Sequence, residues 1–391
     1  MSLETAPPSR EAFMMSLGSA LHRWGIPAHR LEARMTEVAT HMGLQAQFFS
    51  TPTSLTAGFG SPQDQQVRLV RSDPGNVDLS KLLDLDRVAD DVAQGTLSID
   101  EGLAEIQVID QRPALYRGMV IVGAFGLAAA GSSRFFGAGL NEIAAAAGAG
   151  LIAGSLAVAI PRAPRAARLF ELTAAFCVTV WVAVLQAAGF AVAPFVVILA
   201  GLIVLVPGLT LTVAVSELAT QNLVSGSARL TFAGMSLLQI ALGVAFGQQV
   251  SLHIFGPLVD HAPMALAPWT EVVSLVATSL AISMLFQAPA WLMPIIVGVT
   301  SMAIVGARVG GWLFTPQLGA SLGALFVAML GNLYARWKNR PAVVLIVPGM
   351  MVLVPGSVGF RSVNSLMKHD VSMGLETAFN MGLIAVAIVA G

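Results

Sequence analysis

Charge is scarce in this chain: Lys, Arg, Asp and Glu together make up 11% of its 391 residues, against 55% hydrophobic. Soluble globular domains carry about 25% charged residues, so a fold solvated on all sides is excluded and most of the chain is expected inside a bilayer. Lysine is scarcer still. Lys81, Lys338 and Lys368 are the full set and none follows a glycine, which excludes a Gly-Lys-Ser/Thr phosphate loop. The formal net charge is −1, with no basic tract interleaved with aromatics, so nucleic acid is not an expected partner. One cysteine, Cys177, excludes an internal disulfide and a cysteine-based metal site. The first residues lack an apolar signal core, so no cleaved signal peptide is expected and the leading segment should stay in the cytoplasm.

What charge there is sits early. Residues 1–116 read as a small α+β cytoplasmic domain. Apolar residues recur at helical spacing from Glu11 to Gly43, interrupted at Gly25-Ile26-Pro27, which predicts a helical hairpin. Leu44–Ser50, Ser54–Gly60 and Val67–Arg71 are short β-prone runs separated by turn residues, and Asp73-Pro74-Gly75-Asn76 closes the meander. Helices are predicted near 79–94 and 99–108, the second entered by the capping-box spacing Ser98…Glu101. His22, His29 and His41 lack the spacing that puts two imidazoles on one helical face, so they are expected as solvated helix residues, with no metal and no cofactor.

With about 20 apolar residues per crossing as the ruler, spans are predicted near 118–133, 138–160, 169–189, 191–216, 230–250, 270–287, 291–307, 313–332, 341–361 and 373–390. That is ten, grouped as repeats over 117–250 and 251–391. Five crossings per repeat force the second copy to enter from the opposite side, so a five-plus-five inverted repeat of a mostly α membrane protein is expected. Arg162, Arg165, Arg168, Arg229, Arg336, Lys338 and Arg340 fall on one side, against Arg134, Arg308, Arg361 and Lys368 on the other. The bias predicts cytoplasmic N- and C-termini. Trp269, Trp291, Trp312 and Trp337 fall near span ends, as interfacial tryptophans do. Glycine pairs at 150/154, 306/310 and 319/323 have a spacing suited to close helix packing.

Two apolar stretches carry the same breaker. Val206-Pro207-Gly208 and Val347-Pro348-Gly349 lie 348 − 207 = 141 positions apart. A Pro-Gly pair at bilayer depth leaves backbone groups unpaired, which is tolerated where they line a cavity or contact a ligand. Carbonyls before Pro207 can accept from an ammonium; amides and hydroxyls after Gly208 can donate to a carboxylate. The candidate substrate contacts are Pro207, Gly208, Thr210, Ser216, Asn222, Pro348, Gly349, Pro355, Gly356 and Ser357, the last matching Ser216 at the same offset. Glu217 follows the first broken helix and is the candidate proton carrier, with an interfacial or Arg-paired carboxylate as the blander alternative.

The helical start with Gly25 and Arg30-Leu31-Glu32, the Pro52-Thr53 turn, the two five-span halves, Val-Pro-Gly-Leu with Ser225-Gly226-Ser227-Ala228-Arg229 after it, and the closing Pro348-Gly349…Pro355-Gly356-Ser357 resemble the bacterial threonine/serine exporter family in its fused single-chain form. The resemblance implies export of threonine and serine across the bacterial inner membrane, driven by protons, by a transporter and not an enzyme. The sequence departs from the family's usual pattern at Ile26-Pro27-Ala28, in place of Ala-x-Thr, and at Glu217, where aspartate is common. Expected partners are the hydroxy amino acid, protons and lipid, with a homo-oligomer left open. Two rivals stand beside this reading. A dicarboxylate exporter of the succinate type needs fixed positive charge, for which Arg361 is the candidate, and a membrane sensor would use the soluble domain as its active part.

Overall fold

The computed structural model of the protein describes residues 9–61, 63–72, 75–160, 167–353, 356–367 and 370–391. The N-terminal region opens with α1 (Arg10–Arg23) and α2 (Ala28–His41). The Ser9 hydroxyl accepts from the Ala12 amide to start α1. Gly25 at φ +90° turns the chain, and Pro27 at φ −61° leads it into α2. Strands β1 (Ala46–Thr51), β2 (Ser54–Phe59) and β3 (Gln66–Arg71) follow as an antiparallel meander in that order. Period-two alternation puts Leu55, Ala57 and Phe59 on the buried face. Next come α3 (Leu79–Ala93) and α4 (Ile99–Gln111), the latter capped reciprocally by Ser98 and Glu101. The predicted turn at 73–76 lies partly outside the described residues.

The apolar remainder forms α5 (Met119–Phe135), α6 (Leu140–Ala159), α7 (Phe170–Ala187), α8 (Pro194–Gly201), α9 (Gly208–Ala219) and α10 (Leu223–Phe255). Then come α11 (Thr270–Leu285), α12 (Met293–Leu313), α13 (Pro316–Lys338), α14 (Val343–Met351), α15 (Gly356–Met367) and α16 (Val371–Ala390). Among the described residues seven segments are long and apolar enough to cross a membrane, with three shorter apolar helices at 119–135, 208–219 and 270–285. The chain is a membrane protein. Each packing pair in the first set recurs in the second: α5 on α6 as α11 on α12, α6 on α7 as α12 on α13, α7 on α10 as α13 on α16, and α9 on α10 as α15 on α16. The two sets meet through α5 against α11 and α9 against α15. Gly306 and Gly310 of α12 sit against Gly323 and Gly319 of α13, where missing side chains let the backbones approach. Trp269, Trp291, Trp312 and Trp337 are all exposed.

The expected boundary near residue 116 is not a packing boundary. One hydrophobic cluster runs from Phe13, Leu31 and Leu82 of the N-terminal elements into Leu292, Ile296 and Val343–Val347. The Leu79 amide donates to the Phe286 carbonyl at 2.9 Å. Tyr116 and Gln287 exchange two bonds, the Tyr116 amide to Gln287 Oε1 at 2.8 Å and Gln287 Nε2 to the Tyr116 carbonyl at 3.1 Å. Such contacts need a fixed orientation of the N-terminal domain on the helices.

Candidate functional site

Helix α8 ends at Gly201, and the segment to Pro207 passes through turns before α9 begins. Pro207, at φ −78° and ψ 46°, sits in an inverse γ-turn closed by the Gly208 amide on the Val206 carbonyl at 2.7 Å. The Leu209 and Thr210 amides of the first turn of α9 find no backbone acceptor among the described residues, as the start of a helix dictates. The second interruption lies between α14, which ends at Met351, and α15, which begins at Gly356. The two meet: a Cβ on Gly356 would stand 2.8 Å from Val206 Cγ1 and 3.4 Å from the Gly208 Cα. The Pro-Gly pair that answers Pro207-Gly208 is therefore Pro355-Gly356, at 355 − 207 = 148 positions, although Pro355 itself lies outside the described residues.

Pro348-Gly349 does not break its helix, contrary to the expectation. Pro348 lies inside α14, which continues to Met351. It is the sixth of nine residues, and its ring costs one backbone hydrogen bond without ending the helix. Gly349 instead serves packing, since a Cβ there would stand 2.6 Å from Val327 Cγ1 of α13.

Helix α9 runs from the break toward the N-terminal domain and ends in a clamp. The Glu217 carboxylate is wholly buried; Arg229 Nε lies 3.0 and 3.1 Å from its two oxygens, and the Ala28 amide at the start of α2 donates to Oε1 at 3.1 Å. Beside it the Ser225 hydroxyl donates to the Ser50 carbonyl of β1 at 2.8 Å. Helix α14 lies along the cluster shared with the N-terminal domain, from Val343 to Met350. His22 and His29, expected as solvated, are not. His22 is buried between the Thr51 carbonyl at 2.7 Å and Ser72 Oγ at 3.0 Å. His29 Nδ1 is buried without a partner, and burial, with Arg30 and Arg229 nearby, pushes its pKa down to about 4.

On the far side of the breaks from this clamp a cavity of about 370 Å³ is walled by α8, α10, α15 and the loop after α10. Ile198, one turn before the first break, and Phe360, one turn after the second, line it. A second cavity of about 300 Å³ lies on the other side of the same loop. Gln186 of α7 holds the loop between them, donating from Nε2 to the Val259 carbonyl at 2.6 Å and accepting from the Val259 amide at 3.1 Å.

Two family models match this chain. One, for a threonine/serine exporter, covers residues 12–251; the other, described as "Threonine/Serine exporter, ThrE", covers 271–391. The chain belongs to the threonine/serine exporter family. This member of the threonine/serine exporter family is also similar to fungal proteins named Pheromone-regulated membrane protein 10. The Saccharomyces cerevisiae protein is 28% identical over 383 residues, covering 94% of this chain and 48% of that one. The Eremothecium gossypii protein is 26% identical over 363 residues, covering 90% and 49%. The Zygosaccharomyces rouxii protein is 27% identical over 387 residues, covering 93% and 39%. The chain thus spans about half, or less, of the length of these relatives. No solved structure is a significant match.

In this exporter-family chain the expected site residues that the structure describes divide into three groups. Pro207, Gly208, Thr210, Gly356 and Ser357 lie at the meeting of the breaks. Ser216, Glu217 and Asn222 lie about 12 Å or more further along, at the clamped end of α9, by the rise of a helix. Pro348 and Gly349 lie within α14. Ala28 occupies the position where the family's usual pattern has threonine, and here its backbone amide, not a side chain, makes the contact to Glu217. Sequence reasoning missed Arg229 as that carboxylate's partner, although twelve residues separate them across one helix-helix turn.

Proposed function

We propose that this protein is a secondary exporter of small hydroxy amino acids, threonine and serine, working by alternating access through a five-plus-five inverted repeat. The single observation that carries the reading is the approach of Gly208 and Gly356 at the two interruptions, next to amides of Leu209 and Thr210 that lack backbone acceptors among the described residues. Unpaired main chain at bilayer depth is what a carrier offers to a polar solute. Thr210 and Ser357 supply hydroxyls at that point. The arrangement also has a direction: packing and the Glu217 clamp close the path toward the N-terminal domain, while a cavity lies beyond the breaks.

The N-terminal domain is read as cytoplasmic, from the arginine-rich connections on its side. The bacterial inner membrane expected from the resemblance has fungal membrane proteins beside it among the relatives, so the proposal is confined to a membrane with a cytoplasmic face. Proton coupling belongs to the same reading. Protonating Glu217 removes the charge that holds Arg229 and weakens the bond from Ala28, freeing α9 at the domain end. The experiment is efflux of labelled threonine from proteoliposomes with and without an imposed proton gradient. Gradient-accelerated efflux is expected; efflux indifferent to the gradient removes the coupling, and absence of efflux removes the carrier. Excess succinate that competes with threonine would favour the dicarboxylate alternative.

A further inference from the structure

We propose that the cavity beyond the breaks is a binding site for a small zwitterion bearing a hydroxyl, with the ammonium on Asp260, the carboxylate on Arg361 and the hydroxyl among the amides of Gln248 and Asn364. The site rests on the export reading and adds to it the residues that hold the solute on the side opposite the N-terminal domain. Asp260, Gln248 and Asn364 line the cavity. Their side chains form no hydrogen bond or ion pair to the protein among the described residues, and all three face one hollow. Unspent donors and acceptors converging on one hollow are groups available to a ligand.

Arg361 flanks the cavity without lining it. It is three residues before Asn364 on α15, hence on the same helical face. Its guanidinium carbon stands 5.7 Å from the centroid of the Phe195 ring, and Phe195 also lines the cavity. One carboxylate and one guanidinium, unpaired with each other, are complementary to a zwitterion and not to a dianion, whose second carboxylate would meet Asp260 as a like charge. The volume of about 370 Å³ is at the small end of the roughly 300–1,000 Å³ usual for small-molecule sites. An amino acid fits that scale. Gln186 fixes the loop that carries Asp260 and thereby the distance across the site.

The test is calorimetric titration of the full chain in a detergent with a neutral headgroup, so that no lipid ammonium or phosphate competes. The probes are L-threonine, N-acetyl-L-threonine, which lacks the ammonium, and L-threonine methyl ester, which lacks the carboxylate. The parent protein should bind threonine at least about tenfold more tightly than either blocked form, the scale of one hydrogen bond to a charged group. Asp260→Asn should lose about tenfold for threonine and cease to discriminate against the acetylated form alone. Arg361→Gln should cease to discriminate against the ester alone. Both residues are exposed and neither side chain makes a hydrogen bond or ion pair among the described residues, so the variants should melt with the parent protein, and Asp260→Glu should retain the discrimination. Variants that export and bind threonine as the parent does would overturn the site while leaving the export reading intact. A parent protein that exports no threonine would overturn the export reading itself.

Discussion

Glu217→Gln tests the junction between the N-terminal domain and the first interrupted helix. The carboxylate is wholly buried and accepts from Arg229 Nε and the Ala28 amide. Glutamine keeps the volume but removes the charge. Hydrogen bonds to a charged acceptor contribute about 1.5–3 kcal/mol each against about 1 kcal/mol for neutral pairs, and removing one member of a buried pair costs about 3–5 kcal/mol. Arg229 retains 22% side-chain exposure and can turn toward water when released, so the lower end applies and the expected loss is about 3 kcal/mol. Adding Arg229→Met removes the orphaned charge, and the double variant should be less destabilised than the sum of the singles by about 1–2 kcal/mol. The assay is thermal unfolding in detergent, with hydrogen exchange followed at the start of α2. Exchange at Ala28 should accelerate while that of β2, in the centre of the sheet, stays as it was. Single variants within 0.5 kcal/mol of the parent, or exchange unchanged at Ala28, would refute the clamp.

Gln186→Ala should free the loop after α10, raising amide exchange at Val259 about tenfold or more while the core of α7 is unaffected; equal exchange would show that the loop is held by other means. Gly349→Ala should destabilise by about 1–3 kcal/mol in thermal unfolding, because the new methyl meets Val327 at 2.6 Å, and a neutral result would mean that α13 yields without cost. His29 predicts a pH dependence. Its imidazole titrates near 4 when folded and near 6.5 when unfolded, so the unfolded state binds the proton more readily. The cost is absent above pH 6.5 and grows as pH falls toward 4, reaching on the order of 1–2 kcal/mol once partial exposure is allowed for. His29→Gln should gain on the parent across that window, and parallel stability curves would exclude the effect.

The helices were legible because apolar run length and helical period are local properties. Spans predicted at 138–160 and 169–189 are α6 at Leu140–Ala159 and α7 at Phe170–Ala187. The meander was legible for the same reason, the strands falling within two residues of the predicted runs. Helix α10 was read as 230–250 and spans Leu223–Phe255, since its first turns leave the apolar layer to bring Ser225 onto β1. A polarity ruler ends at the bilayer and has no access to that docking. Pro348-Gly349 misled because a Pro-Gly pair reads alike at a kink and in a packed short helix; only the neighbours Val299 and Val327 distinguish them. The cavity was illegible in principle. Gln248, Asp260 and Asn364 are separated by more than a hundred residues at the extremes and share no motif, so only the return of α15 onto α10 unites them.

Transport through this fold depends above all on the two breaks meeting in one solute path. The direct measurement is the initial rate of labelled threonine efflux from proteoliposomes containing the parent protein or Gly356→Val, with matched incorporation and melting temperature. The added side chain would press on Val206 and Gly208 from the opposite break, and the account predicts efflux lowered at least tenfold while Gly234→Val, whose added side chain would begin in open space on α10, leaves it unchanged. Full efflux from well-folded Gly356→Val would contradict it.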